Sequence, residues 1–348
     1  MILSISDAHI TTPWLDVPLK EFVMVIRRDD STLEFSLNSE DGATEMLADR
    51  DVFTLSFSIS GMGSLNEFSE DYVVVERSGL VDGRRSYKAQ HLLIDRLRNT
   101  FFDGTEVRSP TYDHNILSAL QEVFYGFTDQ LGNVDSFEGL MVVPYDYLVG
   151  GETRYSAFQN LNTQIRALQV LEDGVSGLKE KFYGMALQLR GGVADVLNCN
   201  GKEKELVVLD EVQSNDSDVY NIPLGITRQT VYYRDGKMVE YIDYNKEVEF
   251  GGAIPGKPII QVEMEYERAF SLAKFEVEVS SLKTVKKTVD SPLFIKAIPG
   301  ITIVEIDGEE YLTTEVMVVH GPGAVVRGTL EVNNIDLVDV LRNVLLGK

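Results

Sequence analysis

The spacing of apolar residues divides the chain into three stretches. In residues 1–85 apolar and polar positions alternate. Phe53, Leu55, Phe57 and Ile59 interleave with Val52, Thr54, Ser56 and Ser58. Period two sends every second side chain to one face, so this run predicts a strand with one buried face. Glu21 to Arg27 (EFVMVIR) is a compact apolar run that suits a buried strand. Gly61-Met62-Gly63 punctuates the end of this strand region.

Residues 86–200 carry helical spacing instead. Leu93, Leu97 and Phe101 recur at i, i+4, i+8 behind Ser86 as a cap. Ile116, Leu117, Leu120, Val123, Phe124 and Phe127 form a wide stripe behind Asp113. Leu161, Ile165, Leu168 and Leu171 form another behind Ser156, and Asp173-Gly174 stops it. A fourth helix is expected from Leu178 to Leu189, ended by Gly191-Gly192.

In residues 201–348 the alternation returns. Ile260, Val262, Met264 and Tyr266 alternate with Gln261, Glu263, Glu265 and Glu267, and Phe275, Val277 and Val279 alternate with Glu276 and Glu278. Both runs read as strands. Asp235-Gly236 and Asp307-Gly308 each separate two strand-like runs, and Asp-Gly supplies the positive φ angles of a type I′ hairpin turn. A short terminal helix is expected from Asn334, with Ile335, Val338, Leu341 and Leu345 as its stripe. The expected fold is therefore α+β: N-terminal and C-terminal antiparallel sheets, a central helical block and a short C-terminal helix. Strands come in runs and do not alternate with helices, which disfavours a doubly wound parallel sheet. The units expected are 1–85, 86–200 and 201–348.

Composition adds what spacing does not show. The chain has 348 residues, 44% of them hydrophobic and 25% charged, the profile of a folded protein of two or three domains. It carries 32 Lys+Arg against 55 Asp+Glu, a net charge of −23. That balance argues against specific nucleic-acid recognition, which needs cations for the phosphates, and against adhesion to anionic membranes. No apolar run approaches the ~18 residues that span a bilayer, and the first residues lack a basic-then-apolar leader pattern. Cys199 is the single cysteine, so no internal disulfide is expected, and nothing near it in sequence would activate the thiol.

Several motifs come close to chemistry and stop short. Gly251 to Lys257 matches G-x-x-x-x-G-K, but Pro258 follows where a phosphate-binding loop needs Ser or Thr, and a strand pattern follows where it needs a helix. His9, His91, His114 and His320 show no metal-site spacing. His320-Gly321-Pro322-Gly323 lacks the G-x-S-x-G partner of an esterase and reads as a turn. Asp216-Ser217-Asp218 offers oxygens to a divalent cation without the glycine and distal glutamate of an EF-hand. No catalytic residue, metal or cofactor is assigned.

The remaining signal is charge placement. Glu263, Glu265 and Glu267, then Glu276 and Glu278, would share strand faces, with Glu247 and Glu249 as a third row. Arg84, Arg85 and Lys88 form a basic cluster; Arg96 and Arg98, and Lys283, Lys286 and Lys287, form others. Such a carboxylate row is a solvated face, a contact with a basic patch on another copy, or the lining of a ring past which DNA moves without sticking. Together these features favour a structural subunit of a large symmetric homo-oligomeric assembly. A bacteriophage virion component (tail, neck, baseplate or capsid), built in the host cytoplasm, is expected, with partners that are copies of itself and other assembly proteins. A carboxylate enzyme using a divalent metal and an acidic DNA mimic stay open. The first predicts carboxylates converging in a cleft; the second predicts a phosphate-like acidic stripe.

Overall fold

The computed structural model describes residues 4–38, 47–61, 64–101, 115–137, 152–173, 183–200, 205–208, 219–221, 225–261, 264–280, 284–306 and 308–332, with Leu140 and Arg342. Seven strands come first: β1 (Ser4–Thr12), β2 (Leu15–Pro18), β3 (Phe22–Arg27), β4 (Asp30–Asn38), β5 (Val52–Gly61), β6 (Ser64–Arg77) and β7 (Arg84–His91). Then follow α1 (Leu92–Asn99), α2 (Ile116–Val123), β8 (Leu131–Val134), α3 (Arg154–Asp173), β9 (Met185–Arg190) and β10 (Val193–Asn198). The last third holds β11 (Glu205–Val208), β12 (Val219–Asn221), β13 (Arg228–Tyr233), β14 (Lys237–Ile242), α4 (Tyr244–Glu249), β15 (Ile259–Gln261) and α5 (Tyr266–Val279). It ends in β16 (Thr284–Asp290), β17 (Thr302–Ile306), β18 (Glu309–His320) and β19 (Val325–Glu331).

Strands from both ends of the chain build one sheet, mostly antiparallel, in the order β12-β16-β19-β18-β3-β4-β7-β6-β5-β1-β2, with β17 on β18 and β11 parallel to β17. The seam is β3 against β18, where Met24 faces Val318. The period-two residues Phe53, Leu55, Phe57 and Ile59 are buried as their spacing demands, and so are Phe22 and Met24. Phe35 stacks on Tyr87 at 5.0 Å and Phe57 on Phe68 at 4.7 Å, so cross-strand aromatic pairs fill the space under the sheet.

The middle of the chain makes a second core. Leu93, Leu97, Ile116, Leu120, Val123, Phe158, Leu161 and Ile165 pack with Leu187 and Val196 of a small sheet ordered β8-β10-β9. Most of the expected stripe residues are buried, but Leu117 is exposed on α2, Phe101 is exposed beyond the end of α1, and the expected starts are displaced. The first helix does not begin at Ser86, because β7 runs on to His91, whose Nδ1 accepts the Leu93 N–H. Asn115 caps α2 by accepting from the Ser118 N–H at 2.7 Å, whereas Asp113 lies outside the described residues. Thr153, not Ser156, accepts at the start of α3. The first residues of the expected fourth helix, 178–182, lie outside the described residues, and the rest is corrected to a hairpin: Met185–Arg190 is β9, and Gly191 and Gly192, at φ +55° and +77°, turn it into β10. Met185, Ala186 and Leu187 are all buried, and a strand covered on both faces shows no alternation to read.

A third, smaller unit lies between residues 225 and 280. Asp235 and Gly236, at φ 60° and 74°, make the expected tight turn between β13 and β14. β15 adds in parallel to β13, and α5 covers one face of this sheet through Ala269, Leu272 and Ala273 against Val231 and Val239. The two expected glutamate strands are corrected here. β15 ends at Gln261, and Tyr266–Val279 is helical. Its buried positions 269, 272 and 273 have helical spacing, while Val277 and Val279 are also buried at its C-terminal end, which mimics alternation. Glu247 and Glu249 sit on α4, not on a strand. The expected terminal helix lies outside the described residues except for Arg342. No helix among the described residues is long and apolar enough to cross a membrane.

Candidate functional site

The basic cluster lies on β7 and not at a helix start, and strand alternation divides it. Arg84 and Lys88 point outward, while Arg85 shares the inner side with buried Tyr87. Arg84 Nη2 donates to Glu21 Oε2 at 2.7 Å, and Lys88 Nζ lies 3.4 Å from Glu76 Oε2 with Glu34 opposite it on β4. The outward face is a shallow recess of about 440 Å³ in which acids and bases interleave. It is a mixed-charge surface, not a basic patch.

The acidic residues separate too. Glu263 lies outside the described residues. Glu265 precedes α5 and accepts from Arg234 Nη1 at 2.6 Å. Glu267 and Glu278 fall on one outer stripe of α5, eleven residues apart, with Lys274 3.7 Å from Glu278. Glu276 is on the opposite side, half-buried, and takes a two-point contact from Arg342 at 2.6 and 3.0 Å. Glu247 holds Arg228 at 2.9 and 2.5 Å. Among the described residues, no sheet face carries a carboxylate row built from these glutamates.

A site invisible in the sequence lies where the middle of the chain docks on the large sheet. A cavity of about 650 Å³ is lined by Ile59, Phe68, Leu187 and Ile295, among others, with Glu70, Tyr72 and His91 in its wall. Glu70 Oε1 accepts from the Gly191 N–H at 2.8 Å, and Oε2 lies 3.3 Å from both the Gly192 nitrogen and His91 Nε2. With His91 Nδ1 accepting from Leu93, the ring carries its proton on Nε2 and donates it to Glu70. Tyr72 Oη lies 2.9 Å from Ser31 Oγ, and burial pushes the phenol well above its ordinary range. Both carboxylate oxygens are engaged by the protein's own donors, so this cluster clamps the β9–β10 turn to β6 and β7. No local pattern announces it, because Glu70, His91 and Gly191 are remote in sequence.

The other motifs resolve into structure. Cys199 is buried, and burial pushes its thiol up to about 11. The Gly251 to Lys257 run is a turn whose Gly256 N–H donates to the Arg228 carbonyl at 2.8 Å, and a strand follows it. His320 ends β18 beside the turn at Gly321. Asp216, Asp218 and His114 lie outside the described residues. Among the described residues, no three His, Cys, Asp or Glu side chains gather as a metal site.

No protein-family model matches the sequence, and no curated protein matches it either. Solved structures do match. The 43 kDa tail protein of a prophage from Shewanella oneidensis superposes with a TM-score of 0.56 at 12% identity, covering 94% of this chain and 98% of that one. A tail protein from Neisseria meningitidis gives 0.51 at 12% identity, with 98% of each chain covered. At these identities the likeness is one of fold. The chain has the fold of these tail proteins along nearly its whole length.

Proposed function

We propose that this protein is a structural component of a bacteriophage tail or baseplate and works through contacts between subunits without catalysis. The observation that carries the reading is the near end-to-end match of fold to the Shewanella oneidensis tail protein. Shared architecture alone does not fix function, but the described side chains point the same way. Both oxygens of the buried Glu70 carboxylate are held by internal donors, and Cys199 is shielded. Location in the virion and partnership with other assembly proteins are part of the proposal. Passage of DNA along an acidic sheet lining is not, since its premise, the glutamate row, is replaced by helix α5. Arg84, Lys88, Glu267 and Glu278 remain candidates for contact with a neighbour, with Arg84, Lys88 and Glu278 already partnered by Glu21, Glu76 and Lys274. The pairs Arg84–Glu21 and Lys88–Glu76 are exposed, and exposed pairs contribute only ~0–1 kcal/mol each, so these charges tune assembly more than they drive it.

The test is particle association. Cells carrying the gene are induced to release phage-like particles, and the particles are labelled with antibody against this chain for electron microscopy. Gold on tails or baseplates is the expected result. Chain found only in the unassembled fraction, with unlabelled particles, would overturn the reading.

A further inference from the structure

We infer that the cavity between the large sheet and the middle of the chain is a binding site for a small amphiphile, one apolar chain with an anionic head; the inference goes beyond the assembly reading above and does not depend on it. The cavity exists because the large sheet curls. β4, β7 and β6 stand between β3 and β5, yet the rings of Phe22 and Phe57 are 5.1 Å apart. Aromatic rings fill the middle of that curl. Beside Ile26, Ile59 and Phe68 a space of about 650 Å³ is left, flanked by β9 and by residues 295–299. Pockets of ~300–1,000 Å³ at such junctions are where small ligands bind. Ile26, Phe68, Ile295 and Ala297 lean on the main core and stay partly open on the cavity side. An apolar chain laid against them removes that surface from water.

The polar groups of the cavity sort into two sets. Glu70, His91, Tyr72 and Ser31 are partnered by one another and by the Gly191 and Gly192 amides, so they belong to the wall. Gln188, Arg190 and Lys296 are different: among the described residues their side chains meet no hydrogen-bond or ion-pair partner. Leu187 and Leu189 of β9 pack into the helical core. Gln188 and Arg190 therefore leave the strand on its other side, where Ala186 packs with Ile298. Lys296 ends the short helical turn on the facing segment. Charge selects the head group. Arg27 and Glu67 also border the cavity, but alternation along β3 and β6 sends their side chains to the outer face of the sheet, where Arg27 pairs with Glu315. What remains is Arg190 and Lys296 against Glu70, a local sum of +1 on a chain of net charge −23. The Glu70 charge is already met by three donors. An anion is favoured there over a cation. Arg190 and Lys296 are exposed, so the head stays in contact with water while the chain is buried.

Titration calorimetry of the full chain with dodecanoate, held below its micelle concentration, reads the site. One molecule per chain is expected, with a rise in melting temperature that follows its concentration. Each methylene added between octanoate and dodecanoate tightens binding about fourfold, the ~0.8 kcal/mol of a buried methylene at ~1.4 kcal/mol per tenfold. Arg190→Ser with Lys296→Ser weakens dodecanoate by ~10-fold, the size that two exposed charge contacts supply. Ala297→Phe puts a ring into the space and weakens it by at least as much. Circular dichroism checks that each variant folds; should Ala297→Phe not fold, Ala297→Met takes its place. No binding at ~1 mM dodecanoate overturns the inference. So does uptake of several molecules per chain without dependence on chain length, or binding that all these variants leave unchanged. Gold on tails decides the assembly reading separately, so either idea can fail while the other stands.

Discussion

Cys199 shows how burial sets the chemistry of a single group. The surrounding apolar side chains, Ala186, Leu197 and Ile301 among them, remove water from the thiol, and the thiolate becomes costly. The unfolded chain releases this proton near 9 and the folded chain only near 11. The associated stability is therefore whole below pH 9 and is lost as pH climbs from 9 to 11, about 3 kcal/mol in all. Cys199→Ala removes that part of the alkaline decline, and urea denaturation of both proteins at pH 8 and pH 11 measures the difference. An equal decline in both would show that the thiol carries none of it. That Cys199 is inert could be read from the sequence, because nothing near it could activate a thiolate. That it joins the core between β9, β10 and β17 could not, because Ala186 and Ile301 meet it only through the fold.

At the scale of elements, close approach decides more than propensity. Gly328 on β19 has the ring of Phe294 where a Cβ would stand, so the short helical turn at Pro292–Lys296 seats on the strand only because the side chain is missing. Gly328→Ala is expected to displace Phe294 and destabilise by about 2 kcal/mol, the usual cost of overpacking, seen as a lower urea midpoint with unchanged slope. Gly328→Ala with Phe294→Leu should recover part of it. The sequence spoke clearly wherever one period ruled. β5 alternates because one face is packed and the other is not, and Asp235-Gly236 turns because it tolerates positive φ. It misled at α5, where Phe275, Val277 and Val279 are all buried against neighbours on more than one side. Lys246 and Ser280 both reach the Val277 carbonyl there, at 2.7 and 2.8 Å. Glutamates between buried residues then look like a strand's outer face. The candidate contact residues were less legible still. Arg84 and Arg85 are adjacent in sequence, and for that reason they lie on opposite faces of β7.

At the scale of the molecule, polar clamps hold the middle of the chain to the large sheet. Glu70 receives the Gly191 and Gly192 amides, Arg98 Nη2 donates to Asp30 at 2.9 Å and stacks on Tyr155, and the Leu187 N–H donates to the Arg28 carbonyl at 2.7 Å. Removing the Glu70 carboxylate leaves the buried His91 ring without its acceptor and releases the more exposed Gly191 and Gly192 amides to water, so Glu70→Ala is expected to cost about 2 kcal/mol. Hydrogen exchange should locate the damage: the Gly191 amide should exchange faster, while the amides of β3 and β4 keep their protection relative to the global opening. Uniform acceleration everywhere would mean that the clamp stabilises the whole chain and not this junction.

The seam between β3 and β18 has a consequence for how the chain is made. As the ribosome delivers residues in order, β3 can pair with β4 at once, but its other edge must wait for a strand almost three hundred positions downstream. Contacts so distant along the chain slow folding, because a large loop must close before they form. Until synthesis passes His320, the nascent chain carries a raw, apolar strand edge of the kind that invites wrong pairing, and the finished sheet shuts that edge with the chain's own late arrival.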